Sequence, residues 1–283
     1  INVLNKLMEC LPDVQQSHKR GCPEYNSMYE SLKSHIYYHY EMDMGNDCYL
    51  DFGEVELTIP YFKMGKCNTV NLFDLDEIIL FSFYWHNRDR YKTCLDIGAN
   101  LGLHSIFMDK CGFNVNCYEP DENHYNELIS NIDLNDCNNI KPHKKAVSNH
   151  NGIARFIRIL DNTTSSHIEG SKEGIYGPTE TIEVPTVDIN DIVKGIDLVK
   201  IDAEGHEDTI LEALDIKAFD TMDMVLEVGS VRSAEIIFDK FNGLNVLSQK
   251  LGWLPIKTID DIPTSYKEGS LFISGRFDSF YGN

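Results

Sequence analysis

The sequence has no apolar run long enough to cross a bilayer. Its longest block, Ile78 to Trp85, falls far short of the ~20 residues that a spanning helix needs. No membrane span is therefore expected, and Ile1 to Arg20 contains no apolar h-region of a secretory leader. Basic residues are scarce: 25 Lys and Arg stand against 45 Asp and Glu, for a net charge of −20. Such a surface repels a phosphate backbone, which argues against general nucleic-acid binding. The eight cysteines include no C-x-x-C pair, and disulfide frameworks belong to short secreted chains. They read as reduced packing residues, so the expected compartment is the cytoplasm. A metal-ligand pattern is missing too. His35 and His39 are spaced i, i+4, but Ile36 stands where H-E-x-x-H needs its glutamate, and His143, His150 and His167 are scattered. No metal site is expected.

One further absence is informative. The stretch Cys94-Leu95-Asp96-Ile97-Gly98-Ala99-Asn100-Leu101-Gly102 is an apolar strand that ends in a carboxylate and a glycine loop. In an open α/β sheet, nucleotide-like ligands dock at such a junction. The dinucleotide fingerprint G-x-G-x-x-G is incomplete, because Asn100 occupies its second glycine position. That glycine admits a pyrophosphate, so an NAD-dependent oxidoreductase is the weaker enzyme alternative. The spacing Asp96-x-Gly98-x-x-x-Gly102 instead resembles the first motif of class I methyltransferases. Glu119 closes the next apolar run, about 20 residues on, where a carboxylate grips ribose hydroxyls.

The rest of the chain alternates in period. Residues 1–46 read as helices and Tyr49 to Phe62 as a hairpin turning at Asp51-Phe52-Gly53-Glu54. Together they form an N-terminal extension, residues 1–70. Asp74 to Asn87 reads as an apolar helix. Strands at 92–97, 113–118 and 140–147 then alternate with helices at 101–110 and 121–135. After them come strand 196–202, helix 207–218, strand 222–228, helix 233–251 and strand 253–258, with Leu271 to Ser274 as a last strand. This alternation predicts a doubly wound, mostly parallel sheet. Ile153 to Leu160 and Thr181 to Pro185 read as an inserted hairpin near 153–186, with 161–180 as a lid, since long loops are usually functional or disordered. No internal repeat or low-complexity tract is present.

A second cluster sits in the run Lys200-Ile201-Asp202-Ala203-Glu204-Gly205-His206-Glu207. A central parallel strand is normally apolar on both faces, yet Lys200 lies inside one. A buried ammonium needs carboxylates, and Asp202 shares its strand face at i+2. Glu204 follows in the turn, and Glu227 ends the next strand.

Leu95-Asp96-Ile97-Gly98-Ala99-Asn100-x-Gly102, Tyr118-Glu119-Pro120, Ala146-Val147-Ser148, Val187-Asp188 and Lys200-Ile201-Asp202-x-Glu204-Gly205-x-Glu207 occur in that order. Together they resemble the FkbM-type family of S-adenosylmethionine-dependent methyltransferases over roughly residues 75–275. The resemblance implies a Rossmann-like class I methyltransferase fold with seven strands, the last antiparallel, in a domain spanning 71–283. It implies S-adenosylmethionine as cofactor, S-adenosylhomocysteine as product, and O-methylation of a hydroxyl on a sugar, glycan or other small natural product. It further implies Asp96, Gly98, Asn100, Gly102, Glu119, Ser148 and Asp202 as cofactor-binding positions. Many members carry a histidine shortly after the acid that ends the fifth strand. Here that region reads Glu227-Val228-Gly229-Ser230, so no base is assigned there.

For the base, Asp202 is the first choice, kept ionised and oriented by Lys200, with Glu204 and His206 next. The alternative from another class is a binding or scaffold protein that kept the fold and lost the chemistry, because fold does not establish activity. Nothing in the pattern specifies an oligomeric state.

Overall fold

The computed structural model describes residues 2–42, 48–172 and 177–282. The extension opens with α1 (Val3–Cys10), a 3-10 segment and α2 (Pro23–Met42). The hairpin follows as β1 (Tyr49–Asp51) and β2 (Glu56–Thr58), turning through Phe52–Val55 as expected. A small ladder of β3 (Lys63–Met64) and β4 (Cys67–Asn68) leads to α3 (Leu75–His86). Asp74 caps α3 by accepting from the amides of Asp76 and Glu77. The expected helix through residue 46 falls partly on 43–46, outside the described residues.

The main sheet contains β5 (Thr93–Ile97), β6 (Asn114–Tyr118), β7 (Ile140–His143), β12 (Leu198–Ile201), β13 (Asp223–Glu227), β14 (Asn245–Ser248), β15 (Leu254–Pro255) and β16 (Ser270–Ser274). Their spatial order is β15-β14-β16-β13-β12-β5-β6-β7, with β16 antiparallel to both neighbours. The helices are α4 (Leu103–Lys110), α5 (Glu122–Leu134), the short α6 (Ile189–Ile192), α7 (Glu207–Ala213) and α8 (Val231–Lys240). Alternate strand residues face opposite ways, as the pleat requires. Cys94, Val115, Leu198, Val225 and Phe272 join one core, while Leu95, Val199, Met224 and Ile273 join another. The first core also holds Leu4, Leu7, Leu50 and Phe52 of the extension. Phe52 meets the stacked rings of Phe81 and Phe107 edge-on.

The inserted hairpin is present as β9 (Gly152–Ile159) and β11 (Thr179–Asp188), with β8 (Ala146–Ser148) and β10 (His167–Ile168) completing a second sheet.

Five sequence expectations need correction. The main sheet has eight strands instead of seven. The helix expected over 233–251 stops at Lys240, because Asn242-Gly243 breaks it and Val246 and Leu247 are buried in β14. The expected strand 140–147 divides at Lys144-Lys145, and its second half crosses to the other sheet. Helix 207–218 ends at Ala213, and strand 253–258 shrinks to Leu254–Pro255. Among the described residues, no helix is long and apolar enough to cross a membrane.

Candidate active site

β5 and β12 lie side by side, with Asp96 paired to Lys200 in register and Ile97 to Ile201. Their carboxyl ends therefore deliver the glycine loop and the Asp202–Glu207 turn to one sheet edge. Gly98 has φ +78°, and a Cβ there would overlap the Asp202 carbonyl oxygen. Only glycine allows that approach. β6 brings Glu119 beside the loop. Its two carboxylate oxygens accept from the Asn100 amide at 2.9 Å and the Asp121 amide at 2.7 Å.

These elements wall a cleft of about 650 Å³. Gly98, Asn100 and Glu119 line it together with Asp202, Glu204 and His206. Tyr118, Ala146, Val147 and Phe156 supply apolar surface, as ligand clefts commonly do. The lid contributes Thr163, Thr164 and Ser166. His124 holds Thr163 by a 2.8 Å hydrogen bond, and the Arg158–Asp121 ion pair ties β9 to the start of α5. Residues 173–176 of the expected lid lie outside the described residues.

Charge in this region is dense. The Lys200 ammonium is buried, 3.4 Å from Asp202 and 3.7 Å from Asp96. Burial opposes its charge, but Asp202, Asp96, Glu77 and Glu227 outweigh that and raise its pKa. Asp96 is fully buried and also accepts from Ser105 at 2.6 Å. Burial pushes Glu119 up to about 8 despite its two amide donors, and pushes Glu207 up to about 7. Glu207 accepts from the amides of Ala203 and Gly205 and from the Tyr266 hydroxyl, so it shapes the turn.

The glutamate of that turn, Glu204, has φ +50° and pairs with Lys172 of the lid. Burial is the main cause that raises its pKa to about 7. His206 is held between two hydroxyls, Ser148 at Nε2 and Ser171 at Nδ1, each 2.9 Å away. Burial lowers its pKa to about 4. It is a neutral imidazole with both nitrogens engaged.

The structure thus brings Gly98, Asn100, Glu119, Asp202, Glu204 and His206 to one cleft wall. Four other sequence-derived positions, Lys200 among them, do not line it. Asp96 is bound to Ser105 and Lys200. Ser148 supports His206. Gly102 has φ +90° and faces Leu128, where a Cβ would overlap the leucine. The sequence reading missed Glu77, His104, Lys172 and Tyr266. An acid inside the apolar run 74–87 was the one available signal for Glu77. Among the described residues, no cluster of His, Cys, Asp and Glu fit to hold a metal occurs.

A family model described as "Methyltransferase FkbM domain" matches residues 96–248. No curated protein matches the sequence. Among solved structures, the chain is similar to an rRNA methylase from Streptococcus thermophilus, at 11% identity and TM-score 0.37, covering 71% of this chain and 95% of that one. It is similar to an O-methyltransferase from Bacillus cereus crystallised with S-adenosylhomocysteine, at 11% identity and TM-score 0.38, covering 68% and 78%. The bifunctional kinase-methyltransferase WbdD is matched at 10% identity and TM-score 0.40, covering 69% and 38%.

Proposed function

The chain belongs to the FkbM methyltransferase family, and from that premise we propose that it methylates a hydroxyl oxygen of a sugar or other small natural product. Members of this family take the methyl group from S-adenosylmethionine. The residues of the cleft fit that donor. The Glu119 carboxylate is positioned for a ribose diol, with one lone pair on each oxygen left after the two amide bonds. The Asn100 carboxamide oxygen is buried with no hydrogen-bond partner among the described residues, so it is free to accept from a donor group of the cofactor. The excess of carboxylates suits a cationic sulfonium.

When bound, the cofactor supplies an already activated methyl group. The protein's contribution is alignment, exclusion of water and handling of one proton. In our proposal Asp202 accepts that proton. It lies on the cleft wall at the end of β12, about a quarter exposed, and Lys200 orients it. Glu204 is a less suitable base because Lys172 engages it. His206 is less suitable because Ser148 and Ser171 occupy both ring nitrogens, which makes it a positioning residue for the turn. Its hydrogen bond to Ser171 also links the turn to the lid. The observation that carries the proposal is the convergence of Asn100, Glu119 and Asp202 on one cleft.

The test is incubation with methyl-labelled S-adenosylmethionine and a panel of small glycans and hydroxylated natural products. Label that becomes alkali-stable ether in an acceptor supports O-methylation. Label recovered only as ester or as N-methyl would overturn it.

A further inference from the structure

The extension carries a groove of about 980 Å³ between α2 and the chain that enters α3. α2 turns Leu32, Ile36 and Tyr40 into the core, four residues apart as one helix face requires. The neighbouring row, Tyr29, Lys33 and Tyr37, has the same spacing and forms one wall of the groove. At 1.5 Å per residue this row runs for about 12 Å, longer than a single pyranose ring. The other wall is Val70 and Asn71 of the 3-10 turn Thr69–Leu72, with Phe73 and Asp74 after it.

The walls alternate aromatic faces with polar groups. The Tyr37 side chain is 59% exposed, while Phe73 is buried. Tyr29 is half-buried, with the Lys33 ammonium 5.7 Å from its ring centroid. Glu30 and Ser34, both exposed, stand between the rings. Asn71 accepts from the Asn68 amide at 2.9 Å, which leaves its two N–H donors for a ligand. The groove also lies next to the reaction centre. Leu72, between the groove residues Asn71 and Phe73, lines a cavity with Glu77, Lys200 and Asp202. That cavity shares Gly98, Asn100 and Asp202 with the cleft. The short segment 70–74 therefore borders the groove and also the cavity that holds the proposed base.

A sugar chain presents apolar C–H faces and hydroxyl edges, and this alternation of rings and polar groups meets both. A second copy of the chain is a poorer match, because Lys, Glu and Ser are depleted from interfaces between proteins. The net charge of −20 opposes an anionic chain. We propose that the groove binds the distal residues of a neutral glycan whose hydroxyl is methylated beside Asp202, so that the acceptor is an oligosaccharide and not a monosaccharide. The proposal rests on reading the cleft as the site of methyl transfer to a sugar hydroxyl. It gives the extension, which lies outside the matched segment 96–248, a part in the choice of acceptor.

The test is methyl transfer from labelled S-adenosylmethionine to uncharged gluco-, manno-, galacto- and N-acetylglucosamine oligosaccharides of one to four residues. In a series that is methylated, kcat/KM should rise roughly tenfold or more from one residue to four, mainly through a lower KM. Tyr37→Ala should cost the tetrasaccharide about five- to tenfold, the scale of a lost aromatic contact, and Tyr37→Phe should restore it. Retained affinity of Tyr37→Ala for S-adenosylhomocysteine shows that the variant folds. A series methylated without dependence on length, or a Tyr37→Ala variant with the wild-type dependence, would overturn the groove and leave sugar methylation standing. A dimer in light scattering that Tyr37→Ala dissociates would overturn it in favour of a second copy. Label that reaches no sugar of any length would overturn the groove together with the sugar reading on which it rests.

Discussion

The backbone carbonyl oxygen of Asp202 occupies the space that a Cβ on Gly98 would need. The two loops are also joined by a hydrogen bond from the Asp202 amide to the Ile97 carbonyl at 3.1 Å. The glycine loop and the acidic turn therefore form one rigid unit. Gly98→Ala forces both a left-handed alanine and a backbone overlap. We expect it to destabilise the protein by at least ~2 kcal/mol in urea unfolding and to abolish cofactor binding. A change within about 0.5 kcal/mol, the range of neutral surface substitutions, would show that the loops are independent.

Lys200 neutralises Asp96, which is fully buried, together with the partly exposed Asp202. Lys200→Met leaves Asp96 and Asp202 without their cation. Breaking a buried pair from one side costs about 3–5 kcal/mol, and equilibrium denaturation should show a loss on that scale. Asp202→Asn should cost less, because Lys200 then still serves Asp96 and the Asp202 side chain is partly exposed. A larger loss for Asp202→Asn than for Lys200→Met would contradict this charge arrangement.

The buried carboxyls make stability depend on pH. Burial pushes Glu119 up to about 8, and Glu77 and Glu207 up to about 7, from an ordinary value near 4.5. Between those limits the folded state binds more protons than the unfolded chain, so stability present at low pH is lost as pH rises through 7 to 8. His18, His104 and His206 are pushed down and act with the opposite sign, but their effect ends near the unfolded value of 6.5. The melting temperature of the ligand-free protein should therefore fall from about pH 7 to pH 8.5 in calorimetric scans. A flat or rising profile would contradict the shifts.

The glycine loop, Glu119 and the lysine–carboxylate strand were legible because strand-to-helix spacing fixes which residues reach the sheet edge. Residues placed by tertiary packing were not. Glu77 reads locally as a first-turn acid that favours a helix N-terminus, and only the fold turns it toward Lys200. Gly102 looks like a ligand-facing glycine in sequence, yet its freedom is used against Leu128. β14 was hidden because Val246 and Leu247 continue the apolar spacing of α8 across the Asn242-Gly243 break.

The extension shares a core with the sheet through Leu4, Leu7, Leu50 and Phe52. Deleting residues 1–70 would strip that cover from Phe81 and Phe107. We expect the remaining chain to lose near-ultraviolet circular dichroism and to bind hydrophobic dyes. A cooperative unfolding transition in the truncated protein would mean that the extension is dispensable for folding.

The most direct measurement is calorimetric titration of S-adenosylhomocysteine into wild-type protein and into Glu119→Ala. Glu119 shapes the loop through the Asn100 amide and lines the cleft, so its loss should weaken binding by ~1–3 kcal/mol relative to a saturable wild-type isotherm. A wild-type protein that gives no binding heat, or a variant with unchanged affinity, would contradict the placement of the cofactor in this cleft.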